Sequence, residues 1–292
     1  MTTKTTTKYF AVFGLLFGAA CWGVIWYPYR ILQEAGVSGV FASFYTYSIA
    51  VIFGCILFAR HWRSLLPLPK GMFWLALTAG WTNLSYILAV IDGEVMRVML
   101  LFYLSPLWTL ILARLWLHER TGKLGMIAIA TSLIGAFTML WQPDAGLPLP
   151  NNNAEWMALS SGIGFALTNV ITRKSSHLSL RSKSMAVWLG VTLMALLFMP
   201  FQALPLLAPG GINGMQWLVM GGIGLLLMTV TLFVQYGITH IPVTRAAVIF
   251  LFELVVAAIA SYYLADEPMT LREWLGGSLI VVAALLAALT ET

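Results

Sequence analysis

Apolar residues recur along this chain in runs of about 20, separated by short polar stretches that hold most of the charges. A run of that length crosses the hydrocarbon core of a bilayer as a single helix. Ten runs are predicted to do so, at approximately 9–32, 37–59, 72–91, 95–116, 122–141, 154–173, 184–206, 214–237, 242–264 and 271–289. The connections leave little chain for a domain outside the membrane, so the function must lie within the bundle. The expected fold class is an all-α integral membrane protein with ten transmembrane helices.

Composition narrows the classes further. Of 292 residues, 60% are apolar, and 16 Lys and Arg with 11 Asp and Glu make only 9% charged. Soluble domains carry about 25% charge, so a soluble enzyme, a nucleic-acid binder and a disordered scaffold are excluded, and the bilayer becomes the main partner. The net charge of +5 matters less than its placement. Cytoplasmic loops collect Lys and Arg. One side holds Lys4, Lys8, Arg60, Arg63, Lys70, Arg114, Arg120, Lys123, Arg173, Lys174, Arg181, Lys183 and Arg245, and the other holds Arg30, Arg97 and Arg272. Both termini are therefore expected in the cytoplasm. Ala19-Ala20-Cys21 loosely resembles a lipoprotein cleavage site, but Gly18 stands where a Leu-like residue is needed and the apolar run continues past Cys21, so the segment is expected to be retained. Cys21 and Cys55 have no His or Cys at metal-ligand spacing, and no cofactor or metal is expected.

The chain repeats itself. Arg97 to Glu119 aligns without a gap on Arg245 to Glu267, Phe102 falls opposite Phe250, and Trp22 through Arg30 aligns on Phe165 through Arg173. The division is a first half at 1–141, a Pro- and Asn-rich linker at 142–153 and a second half at 154–292. Five helices per half force the second half to enter the membrane from the opposite side, and such inverted repeats point to alternating access.

With Trp22-Gly23 in the first helix, Ser105-Pro106 in the fourth, Glu119 thirteen residues after that Pro, and Gly125 and Gly135 in the fifth, the chain resembles the drug/metabolite transporter superfamily, in its ten-helix branch with two EamA-type halves. In the second half Glu267 fits the pattern, while Glu253 is followed by Leu254 where the family often has Pro. Within the superfamily the chain is similar overall to the aromatic amino acid exporters of the YddG group. That resemblance implies export of aromatic amino acids across a bacterial inner membrane.

The residues themselves suggest a cavity. Trp62, Trp74, Trp116, Trp141, Trp156, Trp188, Trp217 and Trp274 lie near span ends, where rings favour the headgroup level. Trp22, Trp81 and Trp108 fall mid-span, where the indole N–H needs a protein or wet partner. Gly14, Gly18 and Trp22 form a small-residue face capped by a ring. Asn83 with Tyr86, and Thr231 with Gln235, share helix faces that pseudo-symmetry sets opposite each other, and Asn169 takes the repeat position of Trp26. Such groups either glue helices together or line a cavity. The candidate substrate-binding set is Trp22, Trp81, Asn83, Tyr86, Tyr103, Asn169, Thr231, Gln235 and Glu253. Glu253 is a mid-span carboxylate, costly unless it faces the interior. It serves as counter-ion to an ammonium, as a proton-coupling site or as a structural anchor. Asp92, Glu94, Glu119, Asp266 and Glu267 sit at helix ends, where a solvated or gate-closing ion pair is expected.

Mid-span Lys and Arg are absent, which disfavours phosphorylated cargo and suits an aromatic zwitterion. An exporter of lipophilic cationic drugs is the alternative. An intramembrane enzyme lacks HExxH, GxSxG and paired mid-span carboxylates, so the chain is not expected to be an enzyme. Proton antiport, sodium coupling and facilitated diffusion are all compatible with one mid-span acid. Gly276-Gly277 can face the fifth helix or a second subunit, so the expected state is a monomer or a weak homodimer. A fluorescent-protein fusion at Thr292 should fluoresce and an alkaline phosphatase fusion at the same point should be inactive; the opposite pattern would reverse the orientation.

Overall fold

The computed structural model describes residues 2–61, 70–141, 149–201, 211–265 and 268–289, and all regular structure among them is helical. In chain order the helices are α1 (Thr2–Glu34), α2 (Gly39–Phe58), α3 (Lys70–Asp92), α4 (Val95–Phe102), α5 (Ser105–Leu112), α6 (Lys123–Leu140), α7 (Asn153–Lys174), α8 (Leu180–Phe198), α9 (Gly214–His240), α10 (Val243–Phe250), α11 (Phe252–Leu264) and α12 (Leu271–Leu289). Trp62, Arg63, Asp144, Asp266 and Glu267 lie outside the described residues. We call the side on which α1 begins the near side and the opposite one the far side.

Helix starts are set locally. Ser38, Asn152 and Ser179 each accept the backbone N–H three residues on, and Asn213 with Gln216 forms a reciprocal capping box. These caps satisfy amides that the first turn leaves without partners.

Two features correct the picture of ten plain apolar runs. Nine helical segments among the described residues are long and apolar enough to cross a membrane, and α7 is not one of them. α7 carries Glu155, Ser160, Ser161, Thr168, Asn169 and Thr172, and it places Glu155, Ser161, Thr168, Asn169 and Thr172 against protein, so the surrounding helices take the place of lipid. The fourth and ninth crossings are each broken in two, α4 into α5 at Tyr103–Leu104 and α10 into α11 at Leu251. With α4–α5 and α10–α11 each counted as one crossing, five crossings are followed by five that start from the opposite side.

Lipid offers no hydrophobic drive for one helix to leave it for another, so contact relies on close backbone approach through small residues. α6 and α12 meet at Gly135 and Gly276, where a Cβ on either glycine would stand 2.7 or 2.5 Å from the other's carbonyl oxygen. Gly276 thus packs within the chain, against the fifth crossing. α3 and α8 meet at Gly80 and Gly190, and a Cβ on Gly190 would come within 2.0 Å of the Ala76 oxygen. The Gly14 and Gly18 face of α1 receives Phe233 and Val234 of α9.

Trp188 departs from the headgroup position expected for it. It is fully buried, stacked on Phe58 at 6.3 Å beside Gly54, because that glycine opens a space for the ring between α2 and α8. Trp74, Trp156 and Trp274 are more than half exposed.

The core is unevenly divided. Toward the near side one large apolar cluster joins α1, α6, α7, α9, α10 and α12 through Leu15, Ile129, Val170, Ile238, Ile249 and Ala283, with smaller clusters around Phe58 and Trp188 and around Met72 and Leu75 beside it. Toward the far side the core splits into separate wedges around Leu32 and Met220, around Val98 and Ala158, and around Leu140 and Ile280. α1 packs on α9, α10 and α11 and makes little contact with α3 or α7.

Overpacking typically costs about 1–3 kcal/mol. Gly190→Leu should therefore lower the melting temperature of the detergent-solubilised protein by several degrees. Gly221→Ala, on a helix surface with no atom near an added Cβ, should leave it unchanged or slightly raised.

Candidate functional site

The site forms where the two broken crossings meet the middle of α1 and α7. Pro106 in the first turn of α5 has no N–H to donate to the carbonyl of Phe102, so α4 ends there and the chain turns through Tyr103. In the second half Leu254 replaces that Pro, yet the helix breaks at the equivalent place. The Leu251 and Leu254 amides donate to carbonyls only three residues back, at 3.2 and 3.0 Å. This tightening changes the pitch and aims Glu253 from the first turn of α11. Gly23 makes room for it, because a Cβ there would stand 2.7 Å from the Glu253 carbonyl oxygen, and Gly162 admits the Phe102 carbonyl to α7 in the same way.

A connected set of rings fills the middle. Trp22 lies 5.5 Å from Phe250 and 6.2 Å from Phe165, Phe165 lies 5.5 Å from Phe250 and 5.6 Å from Phe102, and Phe102 lies 5.0 Å from Tyr86 and 5.1 Å from Tyr103. Trp22 and Phe165 are repeat equivalents, as are Phe102 and Phe250, so the rings straddle the pseudo-symmetry. Glu253 lies close to Tyr103 and Tyr86. Glu253, Tyr86, Trp22, Phe102 and Phe165 lie deep in the bundle yet keep part of their surface accessible, as groups lining an internal space do.

The predicted residues separate into three places. Trp22, Tyr86, Tyr103 and Glu253 come together at the rings. Asn169 and Gln235 lie nearer the near side, both buried, with the Asn169 amide nitrogen and the Gln235 amide oxygen unpartnered among the described residues. The Thr231 hydroxyl bonds back to the Leu227 carbonyl at 2.7 Å, and Asn83 is half-buried one turn from Tyr86 on α3. Trp81 is turned away from the rings. Its indole donates to Ser160 at 3.3 Å, and it lines a lateral groove of about 310 Å³ between α3 and α7 with Leu77, Ile163 and Leu167. Trp108, also mid-span, has a buried, unpartnered indole N–H.

Sequence reasoning missed Phe102, Phe165 and Phe250 as site residues. The signal available was the repeat, which sets Phe165 opposite Trp22 and pairs Phe102 with Phe250.

An ion pair lies toward each end of the bundle. On the far side Arg97 holds Glu155 through two bonds, 2.7 and 2.9 Å, with side chains 10% and 5% exposed. The Asn151 amide and the Asn152 side chain also donate to Glu155, and Arg97 donates to the Leu149 carbonyl. This knot ties α4 to α7. On the near side Arg173, at the end of α7, donates to Glu119 at 3.0 Å and to the Thr239 carbonyl at the end of α9. The other Glu119 oxygen accepts the Val243 amide, the first of α10, at 3.1 Å. A five-residue π-turn, Ala113–Leu117, and His118 in the left-handed region at φ 54° bring Glu119 into place. Since that backbone is unfavourable for a residue other than glycine, the turn is held by its neighbours. Glu94 and Asp92 are exposed.

Comparison with known proteins agrees with this architecture. Residues 9–141, and again 152–289, match the EamA-like transporter family. An uncharacterized transporter of Archaeoglobus fulgidus is 27% identical over 208 residues, covering 70% of this chain and 72% of that protein. Protein RarD of Salmonella typhi is 24% identical over 159 residues, 52% of this chain, and the match spans 51% of that relative. A crystal structure 16% identical in sequence superposes with a TM-score of 0.81 over 95% of both chains, a likeness of fold.

Removing one partner of a buried ion pair leaves an uncompensated charge, at about 3–5 kcal/mol. Arg97→Met should therefore lower the thermal midpoint sharply, and adding Glu155→Gln to it should recover part of the loss. Equal midpoints for the single and double variants would show that the two side chains do not act as a pair.

Proposed function

Because the chain belongs to the EamA-like transporter family, we propose that it exports aromatic amino acids and related small metabolites across a bacterial inner membrane by alternating access, with the near side in the cytoplasm. The observation that carries this reading is the continuous set of aromatic rings meeting a single deep carboxylate at two helix breaks. A ring-bearing substrate gains by stacking on Trp22, Phe165 and Phe102, while its ammonium meets Glu253 and the π faces. Tyr86 and Asn83 offer donors for its carboxylate. Broken helices at the centre of two inverted halves support the alternating-access part, since their freed ends can recognise cargo and the halves can exchange conformations.

The same carboxylate supports a second reading, export of lipophilic cations, for which Glu253 alone would supply the binding charge.

Counterflow in liposomes separates them. Preloaded unlabelled Phe should drive uptake of labelled Phe, Tyr or Trp, and Phe250→Ala should reduce it roughly tenfold, as expected for a loss of about 1.4 kcal/mol of ring contact. Exchange of a lipophilic cation, abolished by Glu253→Gln, with no exchange of aromatic amino acids would favour the second reading.

A further inference from the structure

α3 and α7 pack along each other in opposite directions, and the lateral groove between them lies on their outer face. On α7 the groove is lined by Ser160, Ile163 and Leu167, and Lys174 follows Leu167 by seven residues. At about 100° per residue, these four fall on one side of the helix while Phe165 and Asn169 fall on the other, so the groove looks away from the rings. Trp156, seven residues before Ile163, is exposed, as is Leu77 on the α3 wall. On α3 one stripe runs from Lys70, its first residue, through the exposed Trp74 to Leu77 and Trp81. The groove therefore opens to the bilayer, and each helix carries a lysine in register with it at the near-side end.

The lining selects an apolar occupant. Its three polar side chains are already satisfied by protein: the Thr78 hydroxyl donates to the Trp74 carbonyl at 2.9 Å, the Trp81 indole donates to Ser160 at 3.3 Å, and the Ser160 hydroxyl donates to the Met157 carbonyl at 2.8 Å. What remains is methyl, methylene and ring surface. Seven residues separate Lys70 from Leu77 and Leu167 from Lys174, which is about 10 Å along either helix. In a hydrocarbon core about 30 Å thick, that depth lies inside one leaflet, where fatty acyl chains run.

The near-side mouth is cationic. The Lys174 ammonium stands 5.9 Å from the centre of the Trp116 ring, a contact with a π face that leaves its charge unneutralised. Trp116 and Trp74 are exposed rings of the kind that settle at the headgroup level. Basic positions between transmembrane helices bind anionic headgroups, each cation adding about fivefold in affinity. We propose that the groove between α3 and α7 is a binding site for one anionic phospholipid, its phosphate seated between Lys174 and the first turn of α3 and one acyl chain lying along Leu77, Ile163 and Leu167. Since α3 belongs to the first half and α7 to the second, the lipid spans a seam along which the halves meet.

A phosphatidylglycerol carrying a diazirine midway along one acyl chain tests the site in protein reconstituted into phosphatidylcholine nanodiscs. Illumination should label Leu77, Ile163 and Leu167, mapped by mass spectrometry, and unlabelled phosphatidylglycerol should compete at least tenfold better than phosphatidylcholine. Lys174→Gln should lower that preference about fivefold, as expected for one cation, while Lys174→Arg should keep it. Ile163→Trp, which fills the groove from its outer edge, should abolish labelling of Leu77 and leave labelling elsewhere on the bundle unchanged. Equal competition by the two lipids, or a preference unchanged in Lys174→Gln, would reduce the groove to ordinary bilayer contact and overturn the site. Displacement of the label by phenylalanine would overturn it in favour of a side entrance for cargo, and dimeric cross-links in place of lipid adducts would give the groove to a second copy of the chain. No transport is measured, so the outcome is independent of the cargo.

Discussion

Inside a bilayer an interrupted helix leaves amides and carbonyls that no water reaches, so a break survives only where protein surrounds it. Most of this structure follows from having two such breaks. The Phe102 carbonyl is pressed against α7 at Gly162, and the Glu253 carbonyl against α1 at Gly23. The broken crossings must therefore sit at the centre, with α1 and α7 packed on them. The glycine contacts between α3 and α8 and between α6 and α12 fix the outer helices around this centre. Rings at the ends of α4 and α10 then both reach Phe165 of α7 without any loop to place them.

The two halves share a path through the membrane but not their side chains. The far-side pair, Arg97 with Glu155, is held by further hydrogen bonds to residues 149–152 and joins the start of the second half to the first. The near-side pair, Glu119 with Arg173, has fewer partners and is more exposed, at 19% and 26%. It fastens the end of the first half's broken crossing to the end of α7 and the start of α10.

Much of this was legible in the sequence, for identifiable reasons. Long apolar runs need no tertiary context, and the repeat was visible because Arg97 and Arg245 each start a helix on opposite sides. Glu253 stood out because a carboxylate mid-span has no bland surroundings to hide in. Phe165 and Phe250 did not, since a phenylalanine in an apolar helix looks the same whether it meets lipid, core or cargo. Lys183 was counted with the loop charges, two residues from Arg181, and only the packing of α8 shows it buried. Trp188 misled for the converse reason: span position says nothing about a glycine on the neighbouring helix. The break at Leu251 occurs without the Pro that announces its counterpart, so no residue marked it.

The π-turn before Glu119 decides where its carboxylate stands. It places one residue more in a turn than an α-helix does, and His118 then leaves the helix through the left-handed region. Glu119 thus reaches the Arg173 guanidinium and the Val243 amide from outside the helix, along a path that a regular α-helical continuation of α5 would not follow. The contact between the end of the first half's broken crossing and the start of the second's is therefore set by the shape of five residues of backbone.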